Sequence, residues 1–338
     1  MLLGAQRNGP VTPAGSASGG DRTHGAGAGT VPGLVLLARG GVYRVELAGG
    51  ETVEASLRGR LKLERRTGDA VVAGDRVSLR LSEADGHTIE AVGPRGSEIA
   101  RADPRTRGRR AKVIVANVDQ IVAVFAHARP APNPRLIDRF LVLAEANNLP
   151  AILVANKSDL AEDDADADAD VFSPYAAVGY PVLRTSVEVG TGLEELRARL
   201  RDRSSVLTGP SGVGKSSLLN ALWPGLDLSV GAVSEAVNKG RHTTVAARLI
   251  PLQGEAYVAD TPGLRELGLW GIDPADLDLC FREFRRFVDD CRFARSCSHT
   301  HEPDCAVRAA VEKGSIDPAR HASYAALLEE LTERAAGV

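Results

Sequence analysis

Residues 209–216 read Gly209-Pro210-Ser211-Gly212-Val213-Gly214-Lys215-Ser216, and Ser217 continues into an apolar run that ends at Leu222. The stretch matches G-x-x-x-x-G-K-[ST]. It follows a short apolar run at Ser205–Thr208 and opens a helix, the context in which that spacing becomes a phosphate-binding loop. The glycines let successive backbone N–H groups turn inward around an anion, and the helix N-terminus adds the positive end of its dipole. Lys215 can reach the β- and γ-phosphates, and the Ser216 hydroxyl can ligate Mg²⁺. Positions 209–217 are therefore the first nucleotide-binding candidates, with Lys215 also a catalytic one.

Around this loop apolar runs alternate with helical stretches. Gln120–Phe125, Ala151–Ala155, Pro181–Leu183, Ser205–Thr208, Ala246–Leu252 and Tyr257–Asp260 read as strands. Pro134–Asn147, Leu193–Leu200 and the run from Lys215 read as helices. That alternation predicts a parallel sheet covered on both faces. The acidic insert from Glu162 to Asp170 reads as a solvated loop, because a run of like charges repels itself.

Asn156-Lys157-Ser158-Asp159 follows the strand Ala151–Ala155, at the sheet end where ligand loops belong. A carboxylate at Asp159 can accept from guanine N1–H and its 2-amino group, a pair that adenine does not offer. Asn156 can tie this loop to the phosphate loop, and the Lys157 stem can cover a base. Ser186, ending the next strand, can bring backbone N–H groups toward guanine O6. Asp260-Thr261-Pro262-Gly263 ends a further strand, with Asp260 suited to the Mg²⁺ water shell and the Gly263 N–H to the γ-phosphate. Between the two phosphate motifs lies Gly240-Arg241-His242-Thr243-Thr244, a candidate switch. His242, Thr243 and Thr244 are catalytic candidates there, and Thr244 is the expected Mg²⁺ ligand, with Thr243 open to the same role. Leu264 follows Gly263, where many such enzymes carry a water-orienting Gln. Slow unassisted hydrolysis is therefore expected.

The flanks differ. Residues 1–32 are Gly-rich and nearly free of large apolar side chains, which predicts a disordered tail. Val35–Leu37, Val42–Val45, Thr52–Ala55, Val77–Leu81 and Thr88–Val92 are five short β-rich runs split by Gly turns, the pattern of a small OB-type barrel. Arg58-Gly59-Arg60-Leu61-Lys62 and the stretch Arg101–Lys112 are basic, which suits RNA. Leu277, Phe281, Phe284 and Phe287 recur at helical spacing and predict a helical core stripe. Beyond them stand Cys291, Cys297, His299, His301 and Cys305. Three thiolates and one imidazole make a closed tetrahedral Zn²⁺ shell, with His299 and His301 as competing imidazoles.

Across 338 residues Lys plus Arg is 41 and Asp plus Glu is 44, a net charge of −3 that excludes a wholly basic nucleic-acid coat protein. Four cysteines, three of them clustered, fit a metal site better than an extracellular disulfide frame. No apolar run approaches the ~20 residues of a membrane helix and no signal pattern opens the chain, so a soluble, cytoplasmic, multi-domain protein is expected; a monomer is expected as well.

The order of motifs is unusual. The guanine loop comes first and the phosphate motifs follow, a circular permutation of the ordinary GTPase order. With a barrel in front and a Cys/His region behind, the chain resembles the circularly permuted family called ribosome small subunit-dependent GTPase A, over about residues 33–330. The likeness extends to Val72-Ala73-Gly74-Asp75-Arg76-Val77 and Ala116-Asn117-Val118-Asp119-Gln120. It implies an OB-fold RNA-binding domain at 33–112, a permuted P-loop GTPase domain at 113–268 and a mainly helical zinc-binding domain at 269–338. It favours Cys291, Cys297, His299 and Cys305 as the zinc ligands. It further implies GTP or GDP with Mg²⁺, a 30S subunit and 16S rRNA as partners, subunit-stimulated hydrolysis and a role in late 30S maturation. Three departures stand out: five residues between the first two cysteines of the cluster instead of four, Val187 after Ser186, and Val245 after the threonine pair. A regulatory RNA-binding protein with a mainly structural guanine site is the alternative reading.

Overall fold

The computed structural model describes residues 29–59, 61, 70–102, 111–161, 170–228, 247–260, 269 and 271–336. The expected tail lies outside these residues up to position 28, and Val31 and Pro32 already belong to the first strand. Five strands form the N-terminal barrel: β1 (Val31–Arg39), β2 (Val42–Leu47), β3 (Thr52–Leu57), β4 (Arg76–Arg80) and β5 (His87–Val92). Their order is β1-β2-β3-β5-β4, and β4 pairs back onto β1 to close the barrel. Alternation along the strands points Val35, Val45, Ala55, Leu79 and Ile89 inward, where all are buried. Each large aliphatic side chain among them contributes about 1.5–3 kcal/mol of burial free energy.

A two-stranded antiparallel ribbon follows, β6 (Glu98–Ala102) and β7 (Ala111–Ala116). The basic stretch Arg101–Lys112 is thus no barrel loop: its first and last residues face each other across this ribbon, and 103–110 lie outside the described residues.

The central sheet holds β8 (Gln120–Ala126), β9 (Ala151–Asn156), β10 (Val182–Thr185), β11 (Ser204–Thr208), β12 (Arg248–Pro251) and β13 (Tyr257–Asp260). Its order is β10-β9-β8-β11-β13-β12, parallel except for the antiparallel β12. Every residue of β8 and β9 is buried, as expected of parallel strands covered on both faces. Ile121, Ala123 and Phe125 face the core under α1 (Pro134–Ala146), while Val122 and Val124 face the core under α3 (Leu193–Leu200) and α4 (Lys215–Leu222). The short α2 (Ser173–Ala177) adds Tyr175 to the α1 side. The start of α1 is fixed by Asn133, whose Oδ1 accepts from the N–H groups of Arg135 and Leu136, with Pro134 at the first helical position. Barrel and sheet are continuous, because β1 pairs with β12 at Leu37 and Arg248.

The C-terminal region begins in tight turns, not the helix its phenylalanine spacing predicts. Phe284 N–H donates to Phe281 O and Phe287 N–H to Phe284 O, an i to i+3 pattern. A three-residue repeat aligns the same side chains on one face, so the stripe is core while the backbone is 3₁₀-like. Phe281 and Phe284 are fully buried against Tyr324. Two helices complete the domain, α5 (Ala306–Glu312) and α6 (Pro318–Ala336). No helix among the described residues is long and apolar enough to cross a membrane.

Candidate nucleotide site and metal cluster

The phosphate-loop residues run from the end of β11 into α4. Gly209 and Gly214 lie at positive φ, and each is also held by crowding. A Cβ on Gly209 would sit 2.0 Å from Val124 O, and one on Gly214 would sit 2.5 Å from Asn156 Nδ2. The sequence therefore demands glycine twice over at these points. Lys215 is buried and donates to Gly209 O at 2.9 Å and Pro210 O at 2.6 Å, so its ammonium lies inside the curl of the loop. Ser216 is buried at the first turn of α4, Ser217 is half-buried, and Ser211 and Gly212 are exposed. Val213 anchors the loop in the apolar core under α4.

The second loop meets the first. Asn156 ends β9, and its Nδ2 donates to Val213 O at 2.8 Å. Its Oδ1 accepts from the Thr185 hydroxyl at 2.9 Å, which fixes the amide orientation. Lys157, at φ +58, spans the gap and donates to Gly212 O at 2.7 Å and to Arg129 O at 2.6 Å. Three segments converge on that one ammonium. Asp159 is half-buried in a short 3₁₀ turn, and the Ser186 hydroxyl donates to its Oδ1. Val187 is partly buried and packs against the apolar core under α3 and α4. Asp260, at the end of β13, is buried and accepts from Arg248 Nε at 3.2 Å. Sequence reasoning missed Thr185 as an amide orienter and Arg248 as an Asp260 partner. Only the three-dimensional register of β9 with β10 and of β12 with β13 brings them in. His242, Thr243, Thr244, Gly263 and Leu264 lie outside the described residues.

The donor set matches a nucleoside triphosphate with Mg²⁺: a glycine cradle, a lysine, a helix-terminal hydroxyl and a carboxylate at a neighbouring strand end. The expected solvated insert leaves one described acid, Asp170, which pairs with Arg184 at 2.7 Å and accepts from the Ser173 hydroxyl. Residues 162–169 lie outside the described set.

In the C-terminal domain Cys291, Cys297, His299 and Cys305 are all buried, with their ligand atoms within 4.8 Å of one another. His299 Nδ1 stands 3.5 Å from Cys291 Sγ and 3.4 Å from Cys305 Sγ. Its Nε2 faces Asp278 Oδ2 at 3.4 Å, a carboxylate–imidazole contact that orients the ring. Asp278 was not legible as a partner, since 21 residues separate it from His299. His301 is exposed and turned to the Thr300 hydroxyl, outside the cluster. Burial and the neighbouring cysteines push the Cys297 thiol up to about 12 without a cation. Burial works the same way on Cys291, but the N–H groups of Val307 and Ala306 overcome it and pull that thiol down. Three soft sulfurs and one nitrogen in a closed, buried shell suit a tetrahedral structural cation. The turn 298–302 is itself braced: burial would raise Glu302, yet the Ser298 hydroxyl and nearby N–H groups hold it at about 2. Cys280 is buried outside the cluster, with its thiol pushed up to about 12 by burial.

Comparison with known proteins agrees with this architecture. A family described as RsgA GTPase matches residues 92–270. A protein of Gemmatimonas aurantiaca named small ribosomal subunit biogenesis GTPase RsgA is 52% identical over 305 residues, covering 89% of this chain and 98% of that protein. A namesake from Azotobacter vinelandii is 43% identical over 302 residues, covering 89% and 86%. Among solved structures, YjeQ from Thermotoga maritima matches with a TM-score of 0.73 and 35% identity, covering 90% of this chain and 99% of that one. YloQ, described as a circularly permuted GTPase, matches with a TM-score of 0.68 and 27% identity, covering 94% and 99%.

Proposed function

This chain belongs to the RsgA GTPase family, and from that premise we propose that it hydrolyses GTP in the biogenesis of the small ribosomal subunit. The observation that carries the guanine reading is the Asn156 bridge. One side chain, oriented by Thr185, joins the Asn156–Asp159 loop to the phosphate loop at Val213. A base held at Asp159 and a phosphate chain held at 209–217 would then belong to one ligand. In this reading Asp159 accepts from guanine, Ser186 supports that carboxylate, and Lys157 lines the base face. Lys215 and the loop N–H groups hold the β- and γ-phosphates. Ser216, Thr244 and Asp260 would serve a Mg²⁺ ion, which neutralises phosphate charge when bound. Gly263 meets the γ-phosphate, and His242 with Thr243 and Thr244 forms the switch. With Leu264 in place of a water-orienting Gln, hydrolysis is slow until the 30S subunit orders the switch.

Asp159→Asn tests base selection. The amide presents donors to guanine's donors, so GTP binding should weaken by about 2–4 kcal/mol. Xanthosine triphosphate, which offers a carbonyl there, should bind the variant better than the wild type. Unchanged GTP affinity, measured by equilibrium titration, rejects the assignment.

The Cys291, Cys297, His299 and Cys305 shell is read as a single structural Zn²⁺ site. Small metal domains draw folding free energy from ligand bonds. Chelation should therefore release one zinc per chain and melt the packing of α5 and α6, seen as loss of helical circular dichroism. Protein purified without chelator that contains no zinc contradicts this.

The barrel and the ribbon are read as the 16S rRNA-binding face, and the chain as a cytoplasmic monomer. Arg101 and Lys112 stand directly opposite each other in the ribbon. The regulatory alternative, a guanine site without turnover, has less support, since the relatives are named as GTPases and the phosphate cradle carries its lysine.

A further inference from the structure

One row of residues crosses the seam between the barrel and the central sheet. Leu37 of β1 pairs with Arg248 of β12, and Arg248 pairs with Asp260 of β13. Along that row the Arg248 guanidinium reaches Asp260, Nε to Oδ2 at 3.2 Å. A second tie runs beside it, from the Tyr257 hydroxyl of β13 to Glu46 Oε2 of β2 at 2.6 Å. The strand that ends in Asp260 is therefore held by the barrel both directly and through β12.

The two partners are unequally placed. The Asp260 side chain is 6% exposed, whereas that of Arg248 is 46% exposed. A carboxylate so enclosed has little room to move away. A guanidinium open to water can leave once the divalent cation takes over the carboxylate's charge, so that the enclosed carboxylate is never left unpaired. The same carboxylate is the one assigned to the Mg²⁺ shell. A cation of the protein and a divalent cation with its waters then compete for one acceptor, and the arginine is the partner able to yield.

We propose that Arg248 is a positioning residue that competes with the Mg²⁺ shell for Asp260, tying the metal affinity of the nucleotide site to the seam where the barrel joins the sheet. The proposal rests on the reading of Asp260 as a Mg²⁺-shell carboxylate. Arg248 touches neither base nor phosphate in it; it acts through the carboxylate alone. Barrel movement along β1 would reach the metal site through this row, because β12 carries both the pairing to Leu37 and the arginine.

The test is GDP affinity measured as a function of Mg²⁺ concentration, in the full chain. Arg248→Gln removes the charge and keeps a strand-compatible side chain. The Mg²⁺ concentration giving half of the tight-binding amplitude should fall roughly fivefold, because the metal shell no longer has to displace an ion pair from the carboxylate. Affinity in excess chelator should stay at the wild-type value. Arg248→Lys retains the charge and should return the midpoint toward wild type. In an Asp260→Asn background, Arg248→Gln should shift nothing further. A midpoint unchanged or raised in Arg248→Gln, while the wild type keeps its Mg²⁺ dependence, overturns the proposal. So does a shift that persists in the Asp260→Asn background. Should Asp260→Asn itself leave the Mg²⁺ dependence of GDP binding intact, the reading of Asp260 fails and the proposal falls with it.

Discussion

The central sheet is fastened on one side to the barrel and on the other to the metal-cluster domain, and the two fastenings use different chemistry. On the barrel side, where the ribbon leads into β8, the contacts are backbone and amide, and the Tyr257–Glu46 bond further along adds a carboxylate. Asn117 Nδ2 donates to Gly74 O at 2.8 Å, Ala116 N–H donates to Ala73 O at 3.0 Å, and Gly96 N–H donates to Asn117 Oδ1 at 2.8 Å. The nearby buried Asp75 braces the turn by accepting from Val72 N–H and from Arg95. At the opposite seam, α1 carries charges into the C-terminal domain. Arg320, 3% exposed, donates to Asp138 and, at 2.7 and 3.0 Å, to both oxygens of Glu283. Glu145 accepts from Arg282, Arg285 and Tyr180, and Arg139 grips Glu330 with two bonds. A seam of backbone and amide contacts fixes register through shape. A charged seam fixes it through partners, and it becomes costly when one partner is missing.

Removing a charge partner is the strongest way to break that contrast. Arg320→Met leaves Asp138 and Glu283 buried without their cation. Breaking a buried pair costs about 3–5 kcal/mol. Urea unfolding at neutral pH should show that loss, with the C-terminal aromatic cluster reporting it first, since Arg320 also lies over the Phe281 ring. A midpoint at the wild-type value would mean that apolar packing of Val142 into the C-terminal core, not charge, holds the seam.

The barrel seam should break through shape. Gly74 has φ +90, and a Cβ there would lie 1.9 Å from Ala116 O, a backbone atom that cannot swing away. Gly74→Ala should cost about 2–3 kcal/mol, combining left-handed strain with displacement of the seam. Gly40, at φ +61, meets nothing within 4 Å. Gly40→Ala should therefore cost only about 1 kcal/mol, the strain alone. Equal losses in the two variants, by the same urea assay, would reduce the Gly74 effect to dihedral strain and remove the seam from it.

These seams also mark what the sequence could and could not disclose. Gly209 to Ser216 was legible because every requirement of that loop is local: positive φ, close approach and a helix start fall within eight residues. The barrel strands were legible from short β-rich runs split by Gly turns, and β8 and β9 from unbroken apolar runs. The stretches around Gly74 and Asn117 stood out as motifs, but their meeting is a contact across 43 residues. Asp138, Glu283 and Arg320 gave no signal at all. Each alone reads as a solvated position, and only packing across 182 residues makes them a buried cluster. The β6–β7 ribbon was missed for a related reason, because its charged ends masked a strand pair whose inner residues Ile99 and Val115 are fully buried.

The smallest effect probes the exposed edge of the charged seam. Hydrogen bonds from Arg139 hold the Glu330 carboxyl below its ordinary 4.5, against a burial that would raise it, with the Arg139 and Arg334 charges adding to the lowering. A folded-state value below the unfolded one stabilises the fold while pH stays above about 4.5, and that stability is lost as pH falls through the depressed value. The side chains of Arg139 and Glu330 are 23% and 30% exposed, so solvent screens the pair. Glu330→Gln should therefore cost under about 1 kcal/mol at neutral pH. The gap between the wild-type and variant unfolding midpoints should hold steady down to about pH 4.5 and narrow below it. A gap as large as that of Arg320→Met would make the rim of this seam as strong as its centre, and a gap independent of pH would assign Glu330 a packing role in place of a charge.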